Sequence, residues 1–482
     1  MKLRITESHH KRMQRTLASS FWPGRSQPET GCILLVAHND HQKNPSLLVC
    51  DLLEPEAGDF TRQDPGALSF SSRYLRRALL AVRDRKLAGF LTVHTHPFAK
   101  KSVSFSMYDD ANDPELMANL YELQPDGVFG SVVVGASSVA ARQWKSDGTS
   151  KFLGEMVIVG EQITLHPLNG LADLKPPDPS EIFDRASPLT GSGALSVLSK
   201  MRVGVVGDSG TGSLLIELLL RAGVGEIVIF EFDRADMSNL NRVLHLRLSD
   251  VELRRLKSER TAEVIAESGL PTRVTLVDGG DIRNAVVADE LRGCDMLFGC
   301  VDRDWPRLIL CEVAYQYLIP FIDLGTEIGL SETEVQSLDT RVSYIAPGRA
   351  CLLCAGTVKQ ERITLEGHSE EELGRIVDMG YNDDIRLRSP AVMELNMNAA
   401  SWAGLLLRHL LQPFLLTPLP HSVRGSLTNF STRTLNCTST PNCLVCGLTD
   451  RQGTGKKYRL TTRTPEVPTL ETLAAHITPG NR

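Results

Sequence analysis

The 482-residue chain lacks a strong charge of either sign: 52 Lys and Arg against 58 Asp and Glu leave a net −6. That removes any global drive toward nucleic acid or an anionic membrane surface. It lacks an apolar signal core. The opening "MKLRITESHHKRMQRTLASS" is too polar for one, so export is not expected and a cytoplasmic location is. It lacks a membrane-length run. The greasiest segment, "WAGLLLRHLLQPFLL", is interrupted by Arg408, His409, Gln412 and Pro413 and reads as a buried helix. Ten cysteines make no disulfide framework, and there is no internal repeat or long low-complexity stretch. What is present is an ordinary globular composition, 42% apolar and 23% charged, in a chain too long for one core. Two or three domains are expected.

The best boundary is residues 166–181, rich in Pro, Gly and Asp. It separates residues 1–165 from 182–450, and a polar, weakly patterned tail, 451–482, is expected to be loosely held. In the first part, "ETGCILLVAH", "PSLLVCDLL", "FLTVHTH", "PDGVFGSVVVGA" and "KFLGEMVIVG" read as strands. "SSRYLRRALLAVRDRKLAG" reads as a helix, giving a mixed α/β segment. After the boundary, strands and helices alternate: "MRVGVVG", "SLLIELLLRAG", "EIVIFEFD", "SERTAEVIAESG", then the strands "RVTLVDG", "CDMLFGCVD" and "IPFIDLG". That is the pattern of a mostly parallel, doubly wound sheet.

Side chains on a strand alternate faces, so His94 and His96 point the same way. Two imidazoles on one face can chelate a metal, and Asp109 offers a third, oxygen ligand. Three protein ligands and an open position are the layout of a catalytic zinc, which makes water nucleophilic near neutral pH. Glu29, at the entry to a strand, is the candidate base. The plainer alternative is a histidine pair inside a strand, with Ser106-x-x-Asp109 as a helix-capping box.

The ordered set of Glu29, His94-Thr-His96-Pro and Ser106-x-x-Asp109 resembles the signature of the JAB/JAMM (MPN) metalloproteases. These remove ubiquitin or ubiquitin-like proteins, or trim their precursors. The resemblance covers roughly residues 1–165 and implies an α/β zinc hydrolase domain. It implies His94, His96 and Asp109 as zinc ligands, Glu29 as general base and acid, and Ser106 as the donor that stabilises a tetrahedral oxyanion. One spacing departs: nine residues separate His96 from Ser106, where seven are usual. Ser104 would restore the spacing but would put Met107 in the aspartate position. A loop longer by two residues is therefore expected, with Asp110 as the reserve ligand.

In the second part, "VGVVGDSGTGS" places Gly207, Gly210 and Gly212 between a strand and a helix. Such glycines let backbone amides approach phosphate at a helix N-terminus. Glu231, at the end of the next strand, suits a ribose hydroxyl. A nicotinamide-dependent dehydrogenase would share this much. Two CxxC pairs, Cys351/Cys354 and Cys443/Cys446, suggest zinc in a chain without a secretion signal.

Beyond the glycine loop, the sequence resembles the ThiF/MoeB and ubiquitin-activating superfamily. "FDRADMSNLNRVLH" matches its acid-rich Ser-Asn-Leu-Asn-Arg run, with Glu231 standing for the first acid and Asp233 for the second. "SDVELRRLKSERTAEVI", "CDMLFGCVDRDWPRL", "IPFIDLG" and the CxxC pairs continue it over roughly residues 181–450. The resemblance implies a Rossmann-like domain that joins a C-terminal carboxylate to the α-phosphate of ATP. Arg242 and Lys257 would grip the phosphates, Asn241 would position the α-phosphate, and Asp302 would hold Mg²⁺. Arg185 would reach into a partner subunit's site, implying a homodimer. Cys351, Cys354, Cys443 and Cys446 would form a closed, structural Cys₄ zinc site. Many activating enzymes carry a catalytic cysteine after the first CxxC, but the crossover stretch here has none, and Cys437 has no evident partner. The implied chemistry stops at the acyl-adenylate, uses a partner's thiol, or recruits Cys437, the first two being favoured.

Together the two resemblances imply a bifunctional enzyme. It would adenylate the C-terminal glycine of a ubiquitin-like protein and trim or deconjugate that same protein. Alternatives are a binding scaffold with one dead half, or adenylation for a sulfur-carrier thiocarboxylate. The implied partners are a ubiquitin-like protein ending in glycine, a conjugating-enzyme-like protein and a second copy of the chain. Nucleic acid and membrane are not expected.

Overall fold

The computed structural model describes residues 1–21, 27–169, 181–331, 334–378, 390–447 and 451–463. Two sheets organise it. The first has nine strands in the order Ile163–Pro167, Glu155–Val159, Lys2–Thr6, Ser46–Leu53, Gly31–Asn39, Gly89–Thr95, Val128–Val134, Val139–Trp144 and Ser150–Phe152. Alternation along Gly31–Asn39 sorts its two faces. Cys32, Leu34 and Val36 pack with Met13 and Leu17 of the helix Glu7–Leu17. Ile33, Leu35 and Ala37 pack with Tyr74, Ala78 and Val82 of the helix Ser72–Arg85 and with Met117 and Leu120 of the helix Met107–Leu123. A sheet covered on both faces has no face to give to water, which explains its nearly unbroken apolar strands.

The second sheet runs Arg273–Leu276, Glu226–Phe230, Arg202–Val206, Met296–Gly299, Phe321–Ser331, Glu334–Ile345, Ser422–Ser426 and Ser431–Leu435. The first five strands are parallel. The last three pair antiparallel, so the doubly wound sheet carries an extension that the alternating pattern does not announce. On one face, Leu215 and Leu219 of the helix Gly210–Ala222 meet Ala399, Ala403 and Leu407 of the helix Met393–Leu411. That last helix holds the greasy segment only in part. It ends at Leu411, and Phe414, Leu415 and Leu416 lie beyond it, exposed, because Pro413 cannot continue a helix. Among the described residues no helix is long and apolar enough to cross a membrane.

The halves interlock. Arg4, fully buried on the first sheet, reaches Asp295 at 2.9 Å and the carbonyl of Leu318 at 3.1 Å on the second half. Asn44 donates to the carbonyl of Cys294 at 2.7 Å, and the Tyr344 hydroxyl to that of Gly160 at 3.0 Å. The boundary stretch is partly sheet, since Ile163–Pro167 pairs with Glu155–Val159, and residues 170–180 of it lie outside the described residues. The expectation of a loosely held tail is corrected for residues 451–463. The Gly453 amide donates to Tyr315, its carbonyl accepts from Cys50, Lys456 bridges to Asp40, and Thr461 is held by Glu312. The Thr461 side chain satisfies the buried carboxylate of Glu312, and the Gly453 backbone and Lys456 supply the other ties. Residues 464–482 lie outside the described residues.

Candidate functional site

The register of two antiparallel strands sets the first cluster. Gly31 lies opposite His94, and Thr30 and Thr95 exchange hydrogen bonds at 3.0 Å, so Glu29 continues to a place opposite His96. Asp109 arrives from the start of the helix Met107–Leu123, where Ser106 is the N-cap and both halves of a capping box are made. The Nε2 atoms of His94 and His96 are 3.2 Å apart. Asp109 places Oδ1 3.1 Å from His94 and Oδ2 3.3 Å from His96. Ligands on one tetrahedral zinc with bonds of about 2.0–2.1 Å stand about 3.3 Å apart, so the donor set fits that ion. All three side chains are buried, as is Glu29, whose carboxylate lies within 4.8 Å of both imidazoles.

Burial pushes the Glu29 carboxyl up to about 7; His96 opposes the shift and Asp109 adds to it. Burial also pushes Asp109 up, but hydrogen bonds from His94 and His96 outweigh it and hold Asp109 well below the usual carboxylate range. The Ser106 hydroxyl donates to Asp109 Oδ2 at 2.8 Å and accepts from the Asp109 amide at 3.2 Å, so its proton is committed to the cap. Asp110 points away and pairs with Arg142 at 2.6 Å. The long loop before Ser106 is anchored. Val103 is buried against Val133 and Ala140, and Phe105 lies against the Arg142 guanidinium at 3.8 Å.

A cavity of about 1070 Å³ opens beside this cluster, between the helices Ser72–Arg85 and Met107–Leu123. His94, Asp109, Asp113, Leu75, Leu79 and Leu116 are among its lining residues. Sequence reasoning does not single out Asp113. It accepts from Ser131 and Arg142 at 2.6 and 2.9 Å, and its i+4 spacing from Asp109 on one helix face is the available signal.

The second site lies at the glycine loop. Gly207 holds a φ of 94°, and a Cβ on Gly212 would fall 1.8 Å from the Gly207 carbonyl oxygen, so neither tolerates a side chain. Gly210 opens the helix Gly210–Ala222, whose N-cap Ser209 makes no side-chain cap bond, leaving first-turn amides for an anion. The Arg242 side chain passes 3.5 Å from where a Cβ of Gly210 would sit, and its guanidinium donates to the Asn241 side chain at 3.2 Å and to the Ser238 carbonyl. Lys257, with 4% of its side chain exposed, pairs with the exposed Asp233 at 3.0 Å. Glu231 is buried and accepts the amides of Asp208, Phe232 and Asp233 at 2.8–2.9 Å, so it braces the loop. Asp302 and Arg185 are exposed, each in a turn or bend. Sequence reasoning also passes over Asp208, fully buried in the loop; burial and the neighbouring Glu231 push its carboxyl up to about 7, against the opposing pull of Thr261 and Lys257.

Cys351, Cys354, Cys443 and Cys446 converge, with sulfur pairs 3.6 and 3.5 Å apart and all four within 4.8 Å. Tetrahedral zinc with bonds of about 2.3 Å sets sulfurs about 3.8 Å apart, so four thiolates fit a closed site.

Residues 183–445 match the model of the ThiF family. Ubiquitin-like modifier-activating enzyme 5 of Caenorhabditis elegans is 26% identical over 192 residues, covering 36% of this chain and 43% of the relative. The tRNA threonylcarbamoyladenosine dehydratase of Escherichia coli (strain K12) is 29% identical over 158 residues, 33% of this chain and 58% of the relative. The chain thus spans about half the length of these curated relatives. Among solved structures, E. coli MccB with ATP aligns over 56% of this chain and 75% of its own, with a TM-score of 0.43 and 17% identity.

Proposed function

From the premise that the chain belongs to the ThiF family, we propose that it uses ATP to adenylate the C-terminal glycine of a ubiquitin-like protein, and that its N-terminal half is a JAB/JAMM-type zinc peptidase acting on the same C-terminus. The observation that carries the first activity is the glycine loop, with an uncapped helix start facing Arg242 and a buried Lys257 nearby. Charge gathers on the phosphates during acyl-adenylate formation, and cations already in place stabilise it without reorganising. Arg242 and Lys257 would take the phosphates, with Asn241 positioning the α-phosphate. Asp302 is exposed and open to Mg²⁺, and Glu231 would form the ribose side of the pocket with Asp233. The relatives named activating enzymes for ubiquitin-like modifiers support the substrate class.

The peptidase half rests on the convergence of His94, His96 and Asp109 beside a buried Glu29. A zinc ion held by those three residues supplies Lewis acidity. Glu29, buried beside both imidazoles, is placed to accept and return a proton. For Ser106 to donate to an oxyanion, its hydroxyl must rotate away from Asp109. The Cys₄ group would hold a structural zinc, and Arg185 would complete the site of a second subunit. No cysteine lies between Cys354 and Cys437, which favours an acyl-adenylate that is the end product or is passed to a partner's thiol, with Cys437 the remaining alternative on this chain.

The test is ATP–pyrophosphate exchange with a small ubiquitin-like protein ending in Gly-Gly, alongside cleavage of a C-terminally extended form. Lys257→Ala should abolish exchange and spare cleavage; Glu29→Ala should do the reverse. Exchange absent with every such protein would leave the adenylation reading without support.

A further inference from the structure

The antiparallel extension of the second sheet carries a row of like charges. Register places Gly325 opposite Arg341, Arg341 opposite Arg424, and Arg424 opposite Arg433, so the three arginines share one face across adjacent strands. The other face is taken: Thr340 bonds Asn398 at 2.8 Å, and Trp402 of the helix Met393–Leu411 lies against Gly425. Strands are about 4.8 Å apart, and like charges directly opposite one another are destabilising.

Acids compensate only the inner end. Arg341 pairs with Asp323 at 2.7 Å and shares it with Arg307, at 3.1 Å, whose guanidinium also holds the Val301 carbonyl beside Asp302. Arg424 and Arg433 have no ion pair or side-chain hydrogen bond among the described residues, and the Arg424 Nε is buried without a partner. The row therefore runs outward from the edge of the adenylating site, from a satisfied arginine to two unsatisfied ones. It ends on Ser431–Leu435, the last strand of its sheet, where four of five residues are exposed.

We propose that this edge docks an extended acidic segment of the protein substrate, paired to Ser431–Leu435 with its Asp or Glu side chains on the arginine face. The inference rests on the adenylation reading. An edge strand offers backbone donors and acceptors that a peptide can match and a polynucleotide cannot. Alternate residues of an added strand fall on the arginine face, where a carboxylate opposite Arg433 is also within reach of Arg424. A long polyanion would in addition lie against a chain of net charge −6.

The experiment uses the full chain and three fluorescein-labelled probes. One is a decapeptide ending in Gly-Gly with Glu at alternate positions; one has Gln in their place; one is a short oligouridylate. Binding is read by anisotropy at low salt, with a non-hydrolysable ATP analogue titrated in parallel. The Glu peptide should bind about tenfold tighter than the Gln peptide. Arg433→Ala, at an exposed position that leaves folding intact, and Arg424→Ala should each remove most of that preference while leaving ATP-analogue binding unchanged. Equal binding of the two peptides, binding of neither, or a preference that survives both substitutions overturns the proposal. So does oligouridylate binding that exceeds the Glu peptide and is lost in the same variants. Loss of ATP-analogue binding in the unaltered chain with peptide preference intact would instead sink the adenylation reading and leave the docking edge standing.

Discussion

The two donor clusters differ in every respect that decides what a metal does. The four cysteines are soft ligands from segments far apart in sequence, and they leave no open position. The histidine–aspartate cluster mixes nitrogen and oxygen, uses three side chains, and has a cavity and a buried carboxyl beside it. The first can only pin the chain; the second has room for a substrate and a group to move its proton. Replacing Cys443 by Ser should therefore strike folding hardest. We expect a loss on the order of 5 kcal/mol or more, read by denaturant titration and by zinc release. Glu29→Gln should leave stability within about 1 kcal/mol of the parent. It should cost the peptidase rate about 10²–10⁴-fold, and an unchanged rate would sink its role as base. His94→Ala should lower zinc from about two ions per chain to about one, at a stability cost of roughly 1–2 kcal/mol. A parent chain that already carries one ion would mean the open cluster is not a zinc site. The smallest effect on stability belongs to Ser106→Ala, about 1 kcal/mol through the lost cap.

Much of this is legible in the sequence because it is local. His94 and His96 share a face by strand period, the cap at Ser106 is a four-residue pattern, and the glycine loop sits where a strand becomes a helix. Burial on both sides makes Gly31–Asn39 and Arg202–Val206 readable as apolar runs. What escapes depends on pairing between distant residues. No pattern within "EVQSLDTRVSYI" says that Arg341 will stand opposite Arg424, and nothing near Arg4 announces Asp295. That Glu231 also braces the loop by accepting three of its amides is not legible in sequence, because the amides come from two segments brought together by the fold.

The segment 451–463 has a consequence for synthesis. Its contacts join Cys50 and Asp40 near the start of the chain to Tyr315 and Glu312 near the middle. Each half can begin to fold as it leaves the ribosome, N-terminal half first. The seam between them is complete only when these late residues add to the direct bonds Arg4–Asp295 and Asn44–Cys294. A chain released at residue 450 would leave the buried Glu312 carboxylate without Thr461 and the Cys50 thiol without its acceptor, so this short segment acts as a clasp across both halves.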